Sequence, residues 1–302
     1  MLKIERILCP TDLSMEADEA LRYALALASS YKARLILLYC RKPGSIVDWA
    51  TSSGAARRFQ QLLFTHMDAP GLKALEYKAA IAEAENASEG IIAEAAKRHA
   101  DLIIMRSRRR PHAALLLGST AEAVSKGAPC PVLVTHPIER EWVGFSAREI
   151  DLRRVLVATD FSTESELVLN YARSMAEDYQ SEVYLLHVVT REEEEDPEVT
   201  WSHEGLEDLY QTEAHRLQQA IPKALRLQGN AVTAVRYGKP ADEIISYARE
   251  HDIDLICLGA SGSGRTISTL LGSTVDRVLR RAPCPVIVLR PLKSALARAQ
   301  AA

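Results

Sequence analysis

Short apolar runs alternate with longer amphipathic segments along this 302-residue chain. In its second half, runs rich in Val, Ile and Leu predict buried strands, and segments with apolar residues every three or four positions predict helices. The predicted strands are Val155–Ala158, Glu182–Val189, Ala231–Val235, Asp254–Leu258 and Val286–Leu289. The predicted helices are Glu164–Tyr179 (Leu167, Tyr171 and Met175 on its inner face), Leu206–Gln228, Ala241–His251 and Thr274–Arg281. Apolar strands separated by helices indicate an α/β fold with a doubly wound parallel sheet.

The first half of the chain repeats this pattern. Arg6–Cys40 aligns without gaps on Arg154–Val188, and 13 of the 35 positions are identical. Gly118–Pro137 aligns on Gly272–Pro291, and 11 of the 20 positions are identical. Self-similarity of this extent indicates a tandem duplication.

We therefore expect two tandem five-stranded parallel-sheet domains, residues 1–138 and 150–292, joined by a linker near His136–Ile150. A half of roughly 150 residues is long enough to hold a core of its own, because a chain of that length buries about 70% of its unfolded surface.

Composition and charge exclude several classes of protein. A net charge of −3 gives no electrostatic footprint for nucleic acid. No apolar run approaches the ~20 residues that a membrane helix needs. Met1–Cys9 runs directly into a strand pattern, so we expect no secretory leader, and the five cysteines lack C-x-x-C spacing. We expect a cytoplasmic protein with reduced thiols and no membrane partner.

The candidate chemistry follows the fourth predicted strand of the second half. Asp254–Leu258 leads into Gly259-Ala-Ser-Gly262, and Gly272-Ser273-Thr274 comes at the start of the next predicted helix. Glycines let a ligand approach the backbone, and the free N–H groups of a helix N-terminus favour anions. This arrangement predicts a phosphate site at the carboxyl end of the strand, near Asp160.

Other interpretations of these residues remain open. A P-loop would need lysine where Arg265 stands, and the dinucleotide fingerprint has a different glycine spacing. Gly272-Ser273-Thr274 can be a helix cap alone, and Asp160 and its counterpart Asp12 can be turn residues. Gly259 and Gly262 can serve chain turning alone.

The loop fits G-x2-G-x9-G-[ST] at every defined position, and with it the chain resembles the tandem form of the universal stress protein family. Asp160 after the first strand, Gly238-Lys-Pro240 before the third helix and Ala-Pro-Cys-Pro-Val before the last strand carry the same resemblance. It implies domains of the adenine-nucleotide alpha hydrolase-like fold, with ATP as the ligand, with or without Mg²⁺.

The resemblance also assigns roles by position. It implies that Gly259 and Gly262 admit the phosphates, while Ser273 and Thr274, after Gly272, cap the last helix and hold the phosphate tail. It implies that Asp160 accepts a hydrogen bond from adenine or ribose. The residues it places in the wall of the base site are Ala158, Thr159 and Val188, with Leu258 beside the loop.

The first half departs from this motif. Arg106 stands where the first glycine belongs and Arg109 where the second belongs, and the loop is one residue shorter. We expect these side chains to intrude where phosphates must approach, so that the first half lacks the ATP-binding mode of the second. A solvated basic loop is the alternative.

The resemblance implies an ATP-binding protein with a regulatory or stress-protective role in the stress response. The alternative is a scaffold or small-ligand sensor that acts through protein partners. No catalytic or metal-ligating motif is recognisable, so we expect slow ATP hydrolysis at most. Single-domain relatives form dimers, so we expect an internal pseudo-dimer joined through Val132–Val134 and Val286–Leu289, with a homodimer of the chain as a further expectation.

Overall fold

The computed structural model describes most of the chain, and the statements below concern the residues that it describes. These are residues 2–14, 18–44, 52–107, 118–136, 140–144, 146–147, 149–190, 203–221, 230–260 and 271–290.

The first half alternates strands and helices in the expected order. Its elements are β1 (Arg6–Pro10), α1 (Asp18–Tyr31), β2 (Arg34–Arg41), α2 (Ser52–His66), α3 (Ala69–Ala74), β3 (Tyr77–Glu83), α4 (Ala87–Lys97), β4 (Leu102–Arg106), α5 (Ser119–Gly127) and β5 (Val132–Thr135).

The second half repeats this order. Its elements are β6 (Arg154–Thr159), α6 (Thr163–Tyr179), β7 (Glu182–Val189), α7 (His203–Ala220), β8 (Ala231–Tyr237), α8 (Pro240–Glu250), β9 (Leu255–Gly259), α9 (Ser273–Arg281) and β10 (Val286–Leu289). The predicted end of α7, residues 222–228, lies outside the described residues. Gly238 has φ 148°, and an added Cβ there would lie 2.9 Å from Glu243 Oε1, so the turn before α8 requires glycine.

All ten strands form one sheet in the order β3-β2-β1-β4-β5-β10-β9-β6-β7-β8. Neighbours within each half are parallel, and the halves meet where β5 and β10 pair antiparallel, with Leu133 opposite Ile287. The strand order reverses between β1 and β4 and between β6 and β9, so each half has a topological switch point. The doubly wound parallel fold is confirmed, and the two last strands meet as expected.

Two apolar layers cover the sheet, one on each face, and both continue from one half into the other. The α1–α6 layer takes alternate strand residues such as Val155 and Val157 and packs them under α1, α2, α6 and α7. The α5–α9 layer takes the residues between, such as Leu156, and packs them under α4, α5, α8 and α9. This two-residue alternation follows from the pleat of the strands.

The ends of α1 and α6 join the two halves across the α1–α6 layer. The rings of Tyr31 and Tyr179 meet edge to face with centroids 6.0 Å apart. The Tyr31 hydroxyl and the Leu2 N–H both donate to Asp178 Oδ2, at 3.0 and 3.1 Å. The Tyr179 hydroxyl donates to Ser30 Oγ at 3.0 Å. These contacts reinforce the join that β5 and β10 make in the sheet.

Part of the connection between the halves is buried in the core. Trp142 is 1% exposed, and its ring meets Tyr23 of α1 edge to face at a centroid distance of 4.7 Å. The backbone N–H of Trp142 donates to the Tyr23 hydroxyl at 3.3 Å, and Val143 forms a β-bridge with Ile150. The sequence pattern predicted a linker here, but it did not predict this anchor.

One residue predicted for the inner face of α6 is wrong. The sequence placed Leu167 on that face, but its side chain is 40% exposed. Tyr171 and Met175 pack in the core as predicted. The fully buried stripe runs through Val168, Ala172 and Met175, spaced by four and three residues, so Val168 takes the inward position expected for Leu167.

Trp142→Ala should lower the free energy of unfolding by about 3–5 kcal/mol, because it leaves a large cavity in the α1–α6 layer. The measurement is urea unfolding followed by far-UV circular dichroism. Phe64→Ala is the control, since Phe64 is 52% exposed, and it should cost less than about 1 kcal/mol. Equal losses for the two variants would show that the linker is not anchored in the core.

Candidate functional site

Four strand ends of the second half come together at one edge of the sheet. Val157 pairs with Cys257, and Thr159 pairs with His187. Leu289 pairs with Gly259 on the next strand. The carboxyl ends of β6, β7, β9 and β10 therefore share the edge at the switch point, which is where open parallel sheets bind ligands.

A tight turn, Thr159–Ser162, connects β6 to α6 at this edge. The Phe161 N–H donates to Thr159 Oγ1 at 3.0 Å, and Phe161 has φ 60°. The N–H and hydroxyl of Ser162 donate to Asp160 Oδ1 at 3.1 and 2.6 Å. Asp160 is thus a turn residue in the structure, as one interpretation of the sequence held, and its carboxyl group is fixed at the edge.

The first half builds the same turn. The Leu13 N–H donates to Thr11 Oγ1 at 3.0 Å, and Leu13 has φ 63°. The N–H and hydroxyl of Ser14 donate to Asp12 Oδ1 at 3.1 and 2.6 Å. The turn therefore does not distinguish the two halves, and any difference in ligand binding must come from other residues.

The start of α9 lies against the end of β9. The Gly272 N–H donates to the Ala260 carbonyl at 3.0 Å, and the Ala260 N–H donates to the Leu289 carbonyl at 2.8 Å. Gly272 itself is the N-cap residue, without a side-chain cap hydrogen bond. The sequence-based assignment of the cap to Ser273 and Thr274 is therefore wrong: both are first-turn residues, whose N–H groups lack intrahelical acceptors.

Glycine at position 272 is not demanded by the packing of the described residues. A Cβ added there would lie 3.7 Å from the Ala260 carbonyl oxygen, which is an ordinary van der Waals contact. Its φ of −59° is open to any residue. Among the described residues, none therefore crowds Gly272 at the start of α9. Gly262 lies outside the described residues.

Three of the predicted wall residues share one face of the sheet. Leu258 belongs to the α5–α9 layer with Val275 of α9, and Ala158 and Val188 pack against that layer. They line the side of the edge on which α9 begins. Thr159 does not join them, because its hydroxyl donates to Ser165 Oγ of α6 at 3.0 Å on the opposite face.

A model of the universal stress protein family matches residues 3–136 and again residues 151–290. The chain belongs to the universal stress protein family. Universal stress protein MJ0531 of Methanocaldococcus jannaschii is 29% identical over 47% of this chain and 84% of its own length. Universal stress protein YxiE of Bacillus subtilis is 30% identical over 45% of this chain and 98% of its own length. Each aligns with about half of this chain, as a tandem duplication requires.

The whole two-domain arrangement has a solved counterpart. The crystal structure of PA1789 from Pseudomonas aeruginosa PAO1, described as functionally unknown, superposes with a TM-score of 0.70. The match covers 98% of this chain and 95% of that chain at 20% sequence identity, so it shows the fold.

The first universal stress protein domain has a partly buried ion pair where the motif has its first glycine. Arg106 Nε lies 3.5 Å from Glu19 Oε2 of α1, and the two side chains are 14% and 13% exposed. Burial raises the pKa of Glu19 to about 7, against the opposing attraction of Arg106. The aligned residues in the second domain are Gly259 and Leu167, so there the same place holds neither charge.

Arg106 does not take the position that the sequence suggested. We expected its side chain to intrude on the phosphate position. It turns toward α1 instead, on the face of the sheet opposite α5, which is the counterpart of α9 in this domain. Arg109 lies outside the described residues. Sequence reasoning missed Glu19, because nothing in the local pattern of α1 connects it to a residue 87 positions later.

An open cavity of about 400 Å³ lies in the second universal stress protein domain, on the α7 side of the sheet. Its lining is mostly apolar and consists of Val189, Glu207, Leu209, Tyr210, Val235, Arg236 and Tyr237. The α5–α9 layer and the start of α9 lie across the sheet, so this cavity is separate from the candidate nucleotide site.

Metal and thiol chemistry have little support in the described part of the chain. It contains no group of three or more His, Cys, Asp or Glu side chains that could hold a metal ion. Burial raises the pKa of the Cys9, Cys40 and Cys130 thiols to between about 11 and about 12, so these groups are poor nucleophiles at neutral pH. No described helix has the length and apolarity needed to cross a membrane.

Glu19→Gln should reduce the pH dependence of stability. A carboxyl group whose pKa is raised in the folded state stabilises the fold below its unfolded pKa of about 4.5, and this stabilisation is lost as the pH rises through about 7. The free energy of unfolding at pH 5 minus that at pH 8 should shrink by roughly 3 kcal/mol in the variant, as judged by urea unfolding.

Glu166→Gln is the matched control, because Glu166 is exposed on the first turn of α6, the duplicate of α1. It should leave the pH difference unchanged. If Glu19→Gln also leaves it unchanged, Glu19 does not titrate near neutrality in the fold.

Proposed function

We propose that the second domain binds ATP, with its phosphates at the start of α9 and its base against the α5–α9 layer. The observation that carries the proposal is the meeting of three features at one switch point. These are the start of α9 at Gly272, the small apolar wall of Ala158, Val188 and Leu258, and the carboxyl group of Asp160. Helix N-termini and apolar walls are the two surfaces that a nucleotide needs.

We assign the remaining contacts by the position of each residue in the motif. The N–H groups of Ser273 and Thr274 face the phosphate tail, and Gly259 and Gly262 leave room for its approach. Asp160 accepts a hydrogen bond from the ribose or the base, and Mg²⁺ bound with the phosphates offsets their charge. The chain then acts as an ATP-dependent regulatory or stress-protective protein of the cytoplasm, with the first domain as its structural partner.

A second candidate is a sensor of another small ligand. The cavity between α7 and β8 supports it, because about 400 Å³ of mostly apolar space falls within the usual size of ligand sites. Failure of the wild-type chain to bind any adenine nucleotide would favour this candidate over the first.

Gly262→Val should weaken ATP binding at least tenfold, because a branched Cβ blocks close approach of the phosphates to the backbone. Isothermal titration calorimetry with Mg²⁺ present measures the change. Arg109→Val, at the aligned position of the first half, is the control and should bind like the wild type. Absence of adenine-nucleotide binding by the wild type would falsify the proposed function.

Asp160→Asn should weaken ATP and adenosine by the same factor, of about tenfold, because the lost contact is to the nucleoside. Asparagine keeps one oxygen as the acceptor for Ser162 and places an NH₂ donor in front of the ribose or base group that donates to Asp160. Asp12→Asn, in the same turn of the first half, is the control. A variant that loses ATP but keeps adenosine would place Asp160 at the phosphates instead.

A further inference from the structure

Beneath the Thr159–Ser162 turn, a group of side chains from three elements packs on the α7 side of the sheet. The Phe161 ring contacts His187 of β7, at a centroid distance of 4.6 Å, and the guanidinium of Arg216 of α7, 3.9 Å from its centroid. Arg216 is therefore within the range of a cation–π contact. The turn that presents Asp160 is thus held from below by α7.

His187 connects the same helix to the end of β6. Its Nδ1 lies 2.8 Å from the Thr159 carbonyl oxygen, which can only accept, so Nδ1 carries the proton and donates. Its Nε2 lies 3.8 Å from Glu213 Oε2, which also lies 3.7 Å from Arg216 Nη1. Glu213 therefore lies near both the imidazole of His187 and the guanidinium of Arg216.

Glu213 is placed to accept a hydrogen bond from His187 or Arg216. Its Oε2 is buried without a hydrogen-bond partner, which is costly for a carboxylate oxygen. A small movement of His187 or Arg216 toward it would complete a hydrogen bond. The link between α7 and the turn can therefore tighten without any rearrangement of the fold.

The first half cannot build this group. The residues aligned with Phe161 and His187 are Leu13 and Tyr39, which supply neither the ring for Arg216 nor the imidazole for Glu213. The two turns have the same hydrogen bonds and the same left-handed backbone at Leu13 and Phe161, so the support from α7 is a feature in which they differ.

We propose that His187, Glu213 and Arg216 are positioning residues, which fix the Thr159–Ser162 turn and thereby the orientation of Asp160 toward the nucleoside. The proposed effect on nucleoside binding rests on the proposed function, whereas the proposed effect on the turn does not. The side chains of these residues lie on the α7 side of the sheet, across from the base wall and the start of α9, so we expect them to act on affinity through Asp160.

The test is adenosine binding, because adenosine lacks the phosphates and reports only the nucleoside contacts. Arg216→Met keeps the apolar cover of Phe161 and removes the cation, and it should weaken adenosine about threefold. Arg216→Lys should restore most of this loss. Arg173→Met is the control, since Arg173 pairs with Glu177 on the same domain, and it should bind like the wild type.

A variant of Glu213 separates positioning from mere packing. Glu213→Gln keeps the size of the side chain and removes the charge that lies 3.8 Å from His187 Nε2 and 3.7 Å from Arg216 Nη1. It should weaken adenosine binding about as much as Arg216→Met, while a role in packing alone would leave the affinity unchanged.

Amide exchange in the ligand-free protein makes the proposal testable without a nucleotide. Both Arg216→Met and Glu213→Gln should speed amide exchange at Phe161 and Ser162 at least threefold and leave exchange in α6 unchanged. If the wild type binds no adenosine, the proposed function fails and this measurement alone decides the positioning role. Unchanged exchange at the turn, or an equal rise throughout α6, would overturn the inference.

Discussion

The parallel pairing of β6 with both β7 and β9 is the constraint on which the candidate site depends. It sets the ends of three strands at one edge and sends Ala158, Val188 and Leu258 to the same face. A register shift of one residue would turn these side chains to the opposite face, because the side-chain period of a strand is two. The Gly272–Ala260 hydrogen bond then fixes the start of α9 beside them.

The two halves share the framework and differ at the candidate site. The turn after the first strand has the same hydrogen bonds in both. At the end of the fourth strand, however, the first half has a partly buried pair of charges, Glu19 and Arg106, and the second has Leu167 and Gly259. The halves therefore differ at both members of the pair, and a variant that removes one charge leaves the other in a partly buried place.

Much of the fold was predictable because apolar periodicity and self-similarity are strong signals over 300 residues. The order of strands, the doubly wound sheet and the meeting of the last strands all followed from them. Contacts between distant residues were not predictable. The contacts of Trp142 with Tyr23 and of Arg106 with Glu19 depend on how loops and helices pack. Local sequence patterns do not indicate this packing.

The sheet edge proposed for the site was predictable, and several details of it were not. Strand ends and a helix start can be placed from sequence, so their meeting near Asp160 was expected. Rotation about a helix axis is harder to place, which is why Leu167 was expected inside. Thr159 was placed in the base wall by the resemblance, but the alternation of side chains along β6 sends its hydroxyl to the face opposite Ala158. The cap of α9 was misplaced by one residue for a related reason, since helix ends are uncertain by about that much.

Native mass spectrometry of the full chain with ATP and Mg²⁺ tests the central claim most directly, because it counts the nucleotides that each chain holds. The account predicts one ATP for each chain, bound by the second domain. A chain that holds two nucleotides, or none at saturating ATP, would contradict it.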